Sequence, residues 1–179
     1  SGDHVLVTST TGTIASFGGA SGKDIQFIGR VRAQVGTLRA AVWSCDRYAI
    51  ADSLGNLYVT GNAGETWHGG EIRAGSRVTE ITFRDESTVF AVTYQDYTPT
   101  CAIGYIYRCM MGGPIVQIMP FDALPGMNSI VFADEVKGWI VGKDGKVLRS
   151  SDGGDTWTSG PSPTSRTLFK ILLLNGRLY

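Results

Sequence analysis

The chain has 179 residues, with 16 Lys+Arg balanced by 16 Asp+Glu and a sequence pI near 6.7. That neutrality argues against nucleic-acid binding over a broad basic face by counterion release, and 42% hydrophobic with 18% charged residues excludes a disordered or fibrous chain. The apolar runs, such as Ile171 to Leu174, are too short for a membrane-spanning helix, and two histidines with three cysteines leave little for metal or triad chemistry.

Glycine accounts for 24 residues and is spread along the chain, the pattern of many tight turns between short strands. His4-Val5-Leu6-Val7-Thr8 is the first apolar strand, followed by a weak repeat copy at Gly12-Thr13-Ile14-Ala15-Ser16. Gly18-Gly19-Ala20-Ser21-Gly22-Lys23 imitates a phosphate loop, but Phe17 stands where the first Gly belongs and Asp24 where Ser or Thr is required, so no nucleotide site is assigned. Next comes Gly55-Asn56-Leu57-Tyr58-Val59-Thr60-Gly61-Asn62-Ala63-Gly64. This stretch aligns without a gap on Gly104-Tyr105-Ile106-Tyr107-Arg108-Cys109-Met110-Met111-Gly112-Gly113 and on Gly145-Lys146-Val147-Leu148-Arg149-Ser150-Ser151-Asp152-Gly153-Gly154. Ile81 to Val92 aligns in the same way on Ile130 to Val141. The turn glycines 12, 55, 104 and 145 recur roughly 41 to 49 residues apart, the period of a four-stranded propeller blade.

These repeats predict an all-β protein: a β-propeller of about four four-stranded antiparallel blades at 3–38, 39–78, 79–127 and 128–166, with 167–179 beginning a further blade or closing the ring. His4 to Thr8 aligns with a second strand, Thr167 to Ile171 reads as a first strand, and Gly176 to Tyr179 as the start of the next. The strand count therefore predicts a segment of a larger ring or a ring completed by an oligomer, with closure of four blades as the other solution. Lys143-Asp144-Gly145 carries the Asp-Gly pair of a tight hairpin. Of the cysteines, Cys101 and Cys109 are either bridged or free and buried.

The turn after the third strand is the most specific signal. Ser150-x-Asp152-x-Gly154-x-Thr156-Trp157 is repeated with conservative changes as Thr60-x-Asn62-x-Gly64-x-Thr66-Trp67. A short Asp or Asn side chain caps the amides of its own turn, Gly takes a conformation closed to other residues, and Trp folds back over the hairpin. These residues fix a turn and are not a reaction centre. The motif resembles that of the Asp-box (bacterial neuraminidase repeat) β-propellers, and Gly138 to Trp157 is most similar to their photosystem II assembly-factor-like branch. The third repeat has Met111 and Val116 where Asp and Trp belong. The resemblance implies a propeller fold, an extracytoplasmic location and a motif on the face away from the ligand; it transfers no activity.

In that architecture the second-to-third and fourth-to-first connections share the opposite face. Tyr94-Gln95-Asp96-Tyr97-Thr98-Pro99-Thr100-Cys101-Ala102-Ile103 inserts about eight residues there, breaking the repeat once, and loops of this kind carry recognition. Arg32, Arg73, Arg77 and Arg166 stand in or beside the fourth-to-first connections, where guanidinium groups suit carboxylate pairing. Tyr94, Asp96 and Tyr97 with Arg73, Arg32 and Arg166 form the expected ligand face. Asp85-Glu86 and Asp134-Glu135 recur at one turn and read as turn-makers, whereas Glu71, Asp96 and Asp122 are the carboxylates left for a glycosidase pair. The expected function is a non-catalytic binding or assembly scaffold for a protein or glycan, without cofactor or metal; part of a sialidase-like or other glycoside hydrolase is the alternative. No catalytic residue is assigned, and the expected partners are a protein or glycan, a second copy or the remainder of a longer chain, with no nucleic acid and no membrane span.

Overall fold

Short runs rich in Val, Ile, Tyr and Phe, many of them closed by a Gly-containing turn, become strands, and the second strands of the sheets are the most deeply buried of them. The computed structural model describes residues 5–8, 13–18, 24–30, 38–44, 46–98, 101–118 and 124–179. Strands β1 (Val5–Thr8), β2 (Thr13–Gly18) and β3 (Asp24–Arg30) form a three-stranded antiparallel sheet. The second sheet runs β4 (Arg39–Val42), β5 (Tyr48–Ala51), β6 (Asn56–Thr60) and β7 (His68–Glu71) in sequence order. The third contains β8 (Arg77–Asp85), β9 (Thr88–Thr98), β10 (Cys101–Gly104), β11 (Ile106–Met110), β12 (Ile115–Gln117) and, at one corner, β13 (Leu124–Pro125). The fourth runs β14 (Met127–Phe132), β15 (Gly138–Gly142), β16 (Val147–Ser150) and β17 (Thr158–Ser159). A last hairpin pairs β18 (Leu173–Leu174) with β19 (Arg177–Leu178). Among the described residues there is no α-helix, only a 3-10 turn at Lys143–Gly145.

Consecutive sheets are glued face to face. Val89 and Ala91 of β9 point into a cluster with Leu57 and Val59 of the second sheet, while Phe90 and Val92 point the other way, onto Met127, Ile140, Leu148 and Trp157 of the fourth. A strand buried on both faces has no polar side to show, which is why its sequence lacks alternation. Arg84 ties the same two sheets at their rim. Its guanidinium bonds Asp85 (2.7 Å) and Thr88 (3.1 Å) of its own sheet and the Gly153 carbonyl (2.8 Å) of the next.

The Ser150–Trp157 turn is closed from within. The Ser150 hydroxyl donates to Asp152 (2.8 Å) and accepts the Gly154 amide (2.8 Å), and Asp152 accepts both the amide (3.0 Å) and the hydroxyl (2.5 Å) of Thr156. The Trp157 indole N–H donates to the Gly154 carbonyl (3.1 Å), and its ring is buried. In the Thr60–Trp67 turn, Asn62 accepts the Thr66 amide (3.0 Å) with its oxygen but donates from its amide nitrogen to the Thr66 hydroxyl (2.9 Å). Trp67 is only half-buried. The corresponding turn of the third sheet, without Asp, closes on backbone bonds alone: Gly113 N–H to Met110 O (2.9 Å) and Met111 N–H to Ser87 O (2.8 Å).

Those bonds favour the ionised form of Asp152 and hold its carboxyl at about 2, below the ordinary 3.8, with the Thr156 hydroxyl as the largest cause. The unfolded chain therefore takes up this proton at higher pH than the folded one. The stability Asp152 contributes is complete above pH 3.8 and is lost as pH falls towards 2. Asp152→Asn, which copies the uncharged Asn62 turn, is expected to keep the fold and flatten the acid limb of a stability-against-pH curve over that window; an unchanged limb in denaturant melts would contradict this. Asp85 and Asp134, also lowered, leave a residual slope.

Two sequence expectations change. Tyr94 to Thr98 and Cys101 to Ile103 are not loop: β9 extends to Thr98 and β10 folds back along it, pairing Gln95 with Ile103 and Asp96 with Ala102 next to a bulge, in a stretch where Thr93, Tyr94, Tyr97 and Thr98 favour extended backbone. Thr167 to Ile171 forms no ladder, since no second strand among the described residues lies beside it; pairing begins only at β18. Cys109 is a free thiol that burial pushes up to about 11, so it is neither bridged to Cys101 nor reactive at neutral pH.

Candidate functional site

The starts of β4, β8 and β14, the turn carrying Ser53, the Lys143 turn and the segment Thr167 to Lys170 enclose an open cleft of about 800 Å³. Backbone geometry aims side chains into it. Arg39 Nε donates to the Thr79 carbonyl (2.9 Å), and Thr79 Oγ1 bonds the Met127 carbonyl (2.7 Å), locking three neighbouring first strands together. Glu80 is held by Lys170 as an ion pair and by the Ser129 hydroxyl (3.2 Å). Asn128 Nδ2 fixes the fourth wall through the Leu168 carbonyl (2.9 Å).

Tyr94 forms another wall. Its ring lies flat against Gly126, where any Cβ would displace it, and the Arg77 guanidinium sits 5.2 Å from its centroid. Arg39, Arg77, Lys143 and Lys170 thus converge on a cleft whose described lining includes one carboxylate, Glu80. That carboxylate is already paired. The electrostatic balance suits an anion or an acidic chain, with Tyr94 and the 78% exposed Phe169 offering flat apolar contact.

The residues expected from sequence are only partly gathered here. Tyr94 and Arg77 line the cleft. Arg73 lies outside it, its guanidinium 4.2 Å above the Tyr105 ring and its Nε on Gln95 (3.4 Å). Asp96 is exposed on the β9–β10 ladder with Tyr97 next to it, and Arg166 is exposed beyond the cleft with its amide on Thr164 (3.1 Å). Arg32 and Asp122 fall outside the described residues, and Glu71 is exposed on β7. Sequence reasoning missed Arg39, Glu80, Lys143, Phe169 and Lys170. The available signal was their shared place at or beside the beginning of a first strand, or in the turn after a second one. Among the described residues no three of His, Cys, Asp or Glu converge to hold a metal ion, and no helix is long and apolar enough to cross a membrane.

No family model and no curated protein matches the chain. Solved structures do. YCF48 from Cyanidioschyzon merolae superposes with a TM-score of 0.67 at 15% identity over 96% of this chain and 58% of its own. The β-propeller domain of Myceliophteria thermophila Cps50 (Swd1) gives 0.68 at 11% over 97% of this chain and 56% of its own. The GH74 enzyme of Niastella koreensis gives 0.62 at 13% over 87% and 27%. The chain therefore has the β-propeller fold and spans less than two thirds of the length of each of these proteins.

Proposed function

We propose that this propeller is a non-catalytic binding scaffold that holds an acidic segment of a protein partner in the cleft between its first strands. The reading rests on one observation: four cationic side chains line the cleft with a single carboxylate, and that carboxylate is occupied by Lys170 and Ser129. A glycoside hydrolase needs two carboxylates facing each other across the bond it breaks, and the described lining offers only Glu80. We take the Ser150–Trp157 and Thr60–Trp67 turns as Asp-box turns, in which Ser150, Asp152, Thr60 and Asn62 use their side chains to close the turn itself.

The test is binding of a fluorescein-labelled hexaglutamate peptide, followed by anisotropy at rising salt, alongside a fluorogenic glycoside panel. Binding should weaken with salt. Arg77→Glu, at an exposed position, should weaken it by about tenfold while moving the melting temperature by no more than about 3 °C. Equal affinity in that variant, or turnover of a glycoside by the wild type, would refute the reading.

A further inference from the structure

The floor of the cleft repeats from sheet to sheet. In the first strands, Arg39 pairs with Ala51, Glu80 with Val92 and Ser129 with Val141. Each of those partners precedes a residue whose amide closes the following turn: Asp52 on the Asn56 carbonyl, Thr93 on that of Tyr105 and Gly142 on that of Lys146, all at 3.0 Å. Arg39, Glu80 and Ser129 therefore hold one register position in consecutive sheets. Lys170 takes the same position in the segment after the fourth sheet. Asn128 Nδ2 bonds the Leu168 carbonyl as Thr79 Oγ1 bonds that of Met127, and Lys170 precedes buried Ile171 as Glu80 precedes Ile81 and Ser129 precedes Ile130.

A bulge aims Glu80 at the cleft. The register shifts between Val78 and Glu80, so Val78 and Ile81 both stay in the core while Thr79 and Glu80 line the cleft. The shared position thus reads cation, carboxylate, hydroxyl, cation, and the carboxylate is the odd member. Ser129 Oγ donates to Glu80 Oε2 (3.2 Å) while it accepts the Ile171 amide (3.3 Å), and Lys170 Nζ pairs with the same Glu80 oxygen. Glu80 is thereby held as a bound carboxylate would be. Its side chain is 20% exposed and that of Lys170 54%, and an ion pair so open to water is weak enough to exchange.

We propose that Glu80 is an internal ligand of the cleft: it occupies Lys170 in the free protein, and an acidic partner segment binds by taking Lys170 from it. Glu80 then sets the affinity a partner must exceed. This rests on the acidic-segment reading above and adds which residue opposes binding and through which cation. On displacement the Glu80 carboxylate keeps the Ser129 hydroxyl, so the residue is not left without a donor, and Lys170, on the more exposed side of the pair, is the group that changes partner. A segment carrying several acids meets Arg39 and Arg77 in the same cleft, which offsets the broken pair.

Anisotropy titrations of the labelled hexaglutamate against the wild type, Glu80→Gln, Lys170→Gln and the double variant form a cycle that tests this. Gln keeps the shape of Glu and still accepts the Ser129 hydroxyl. Glu80→Gln should tighten binding about tenfold, whereas in the Lys170→Gln background the same change should tighten it by about threefold or less, because no cation is left to release. Unchanged or weaker binding by Glu80→Gln, beside a wild type that binds, overturns the proposal and leaves the acidic-segment reading standing. An equal gain in both backgrounds also overturns it, since the carboxylate would then act through its field alone. No binding by any of these proteins removes that reading and the proposal with it. Should Glu80→Gln fail to fold, the wild type decides by nuclear magnetic resonance. The ¹⁵N shift of Lys170 Nζ should move as hexaglutamate is added, and a fixed shift at saturation overturns the proposal.

Discussion

Replacing Trp157 with alanine is expected to lower the unfolding free energy by about 3–5 kcal/mol, the range for truncating a large core aromatic. Its ring is 6% exposed and stands edge-on to Phe132 (5.8 Å between centroids) and Phe90 (6.4 Å), so it fills the seam between the third and fourth sheets. Gly138 makes room for it: a Cβ there would lie 2.9 Å from the Trp157 ring and 2.7 Å from Phe132. Truncation therefore opens a cavity bounded by two rigid rings and a sheet backbone, which cannot collapse to fill it. Trp67 occupies the same motif position but is half-buried, and Trp67→Ala should cost only about 1–2 kcal/mol. Urea melts of the two variants separate burial from motif. Equal losses would mean that the turn, and not the seam, sets the energy.

Gly145→Ala is expected to be comparably damaging, and Gly112→Ala provides its control. Both glycines have φ near +70°, so each substitution carries the same left-handed penalty of about 1 kcal/mol. Around Gly112 an added Cβ meets nothing within 4 Å. At Gly145 it would run into the backbone carbonyl of Thr164, with Ser162 Oγ 2.8 Å away, and backbone cannot swing aside as a long side chain can. Relief requires moving the segment that carries Phe169 and Lys170 into the cleft. We expect Gly145→Ala to lose about 3 kcal/mol and to weaken hexaglutamate binding, whereas Gly112→Ala leaves binding unchanged. Matched melting curves for the two would show that the Thr164 carbonyl yields without cost.

The parts of this molecule written in consecutive residues were the legible parts. Ser150 to Trp157 states its own turn because the bonds made by its Ser150, Asp152 and Trp157 side chains each span four residues or fewer, and Asp-Gly at 144–145 states a hairpin because both residues accept positive φ. The cleft was not legible in the same way. Glu80 reaches Lys170 across 90 positions and Arg39 reaches Thr79 across 40, so their convergence depends on sheet stacking that no local pattern encodes. Arginine type alone misled as well: Arg73 shares its neighbourhood with Arg77, yet Tyr105 captures its guanidinium from the side. Tyr94 looked like a loop residue offered to solvent, and it proves to be a wall braced by the missing side chain of Gly126.

Arg84 has a consequence for how the molecule comes apart. In a stack of sheets that touch only their neighbours, stability is a sum of intrinsic and nearest-neighbour terms, and weak junctions let single units fray. One guanidinium that bonds Asp85, Thr88 and the Gly153 carbonyl at once, above a Phe90–Phe132–Trp157 seam, makes the junction between the third and fourth sheets a strong one. We expect those two sheets to open as a single cooperative unit, so that amides of β9 and β15 share one opening free energy in hydrogen exchange.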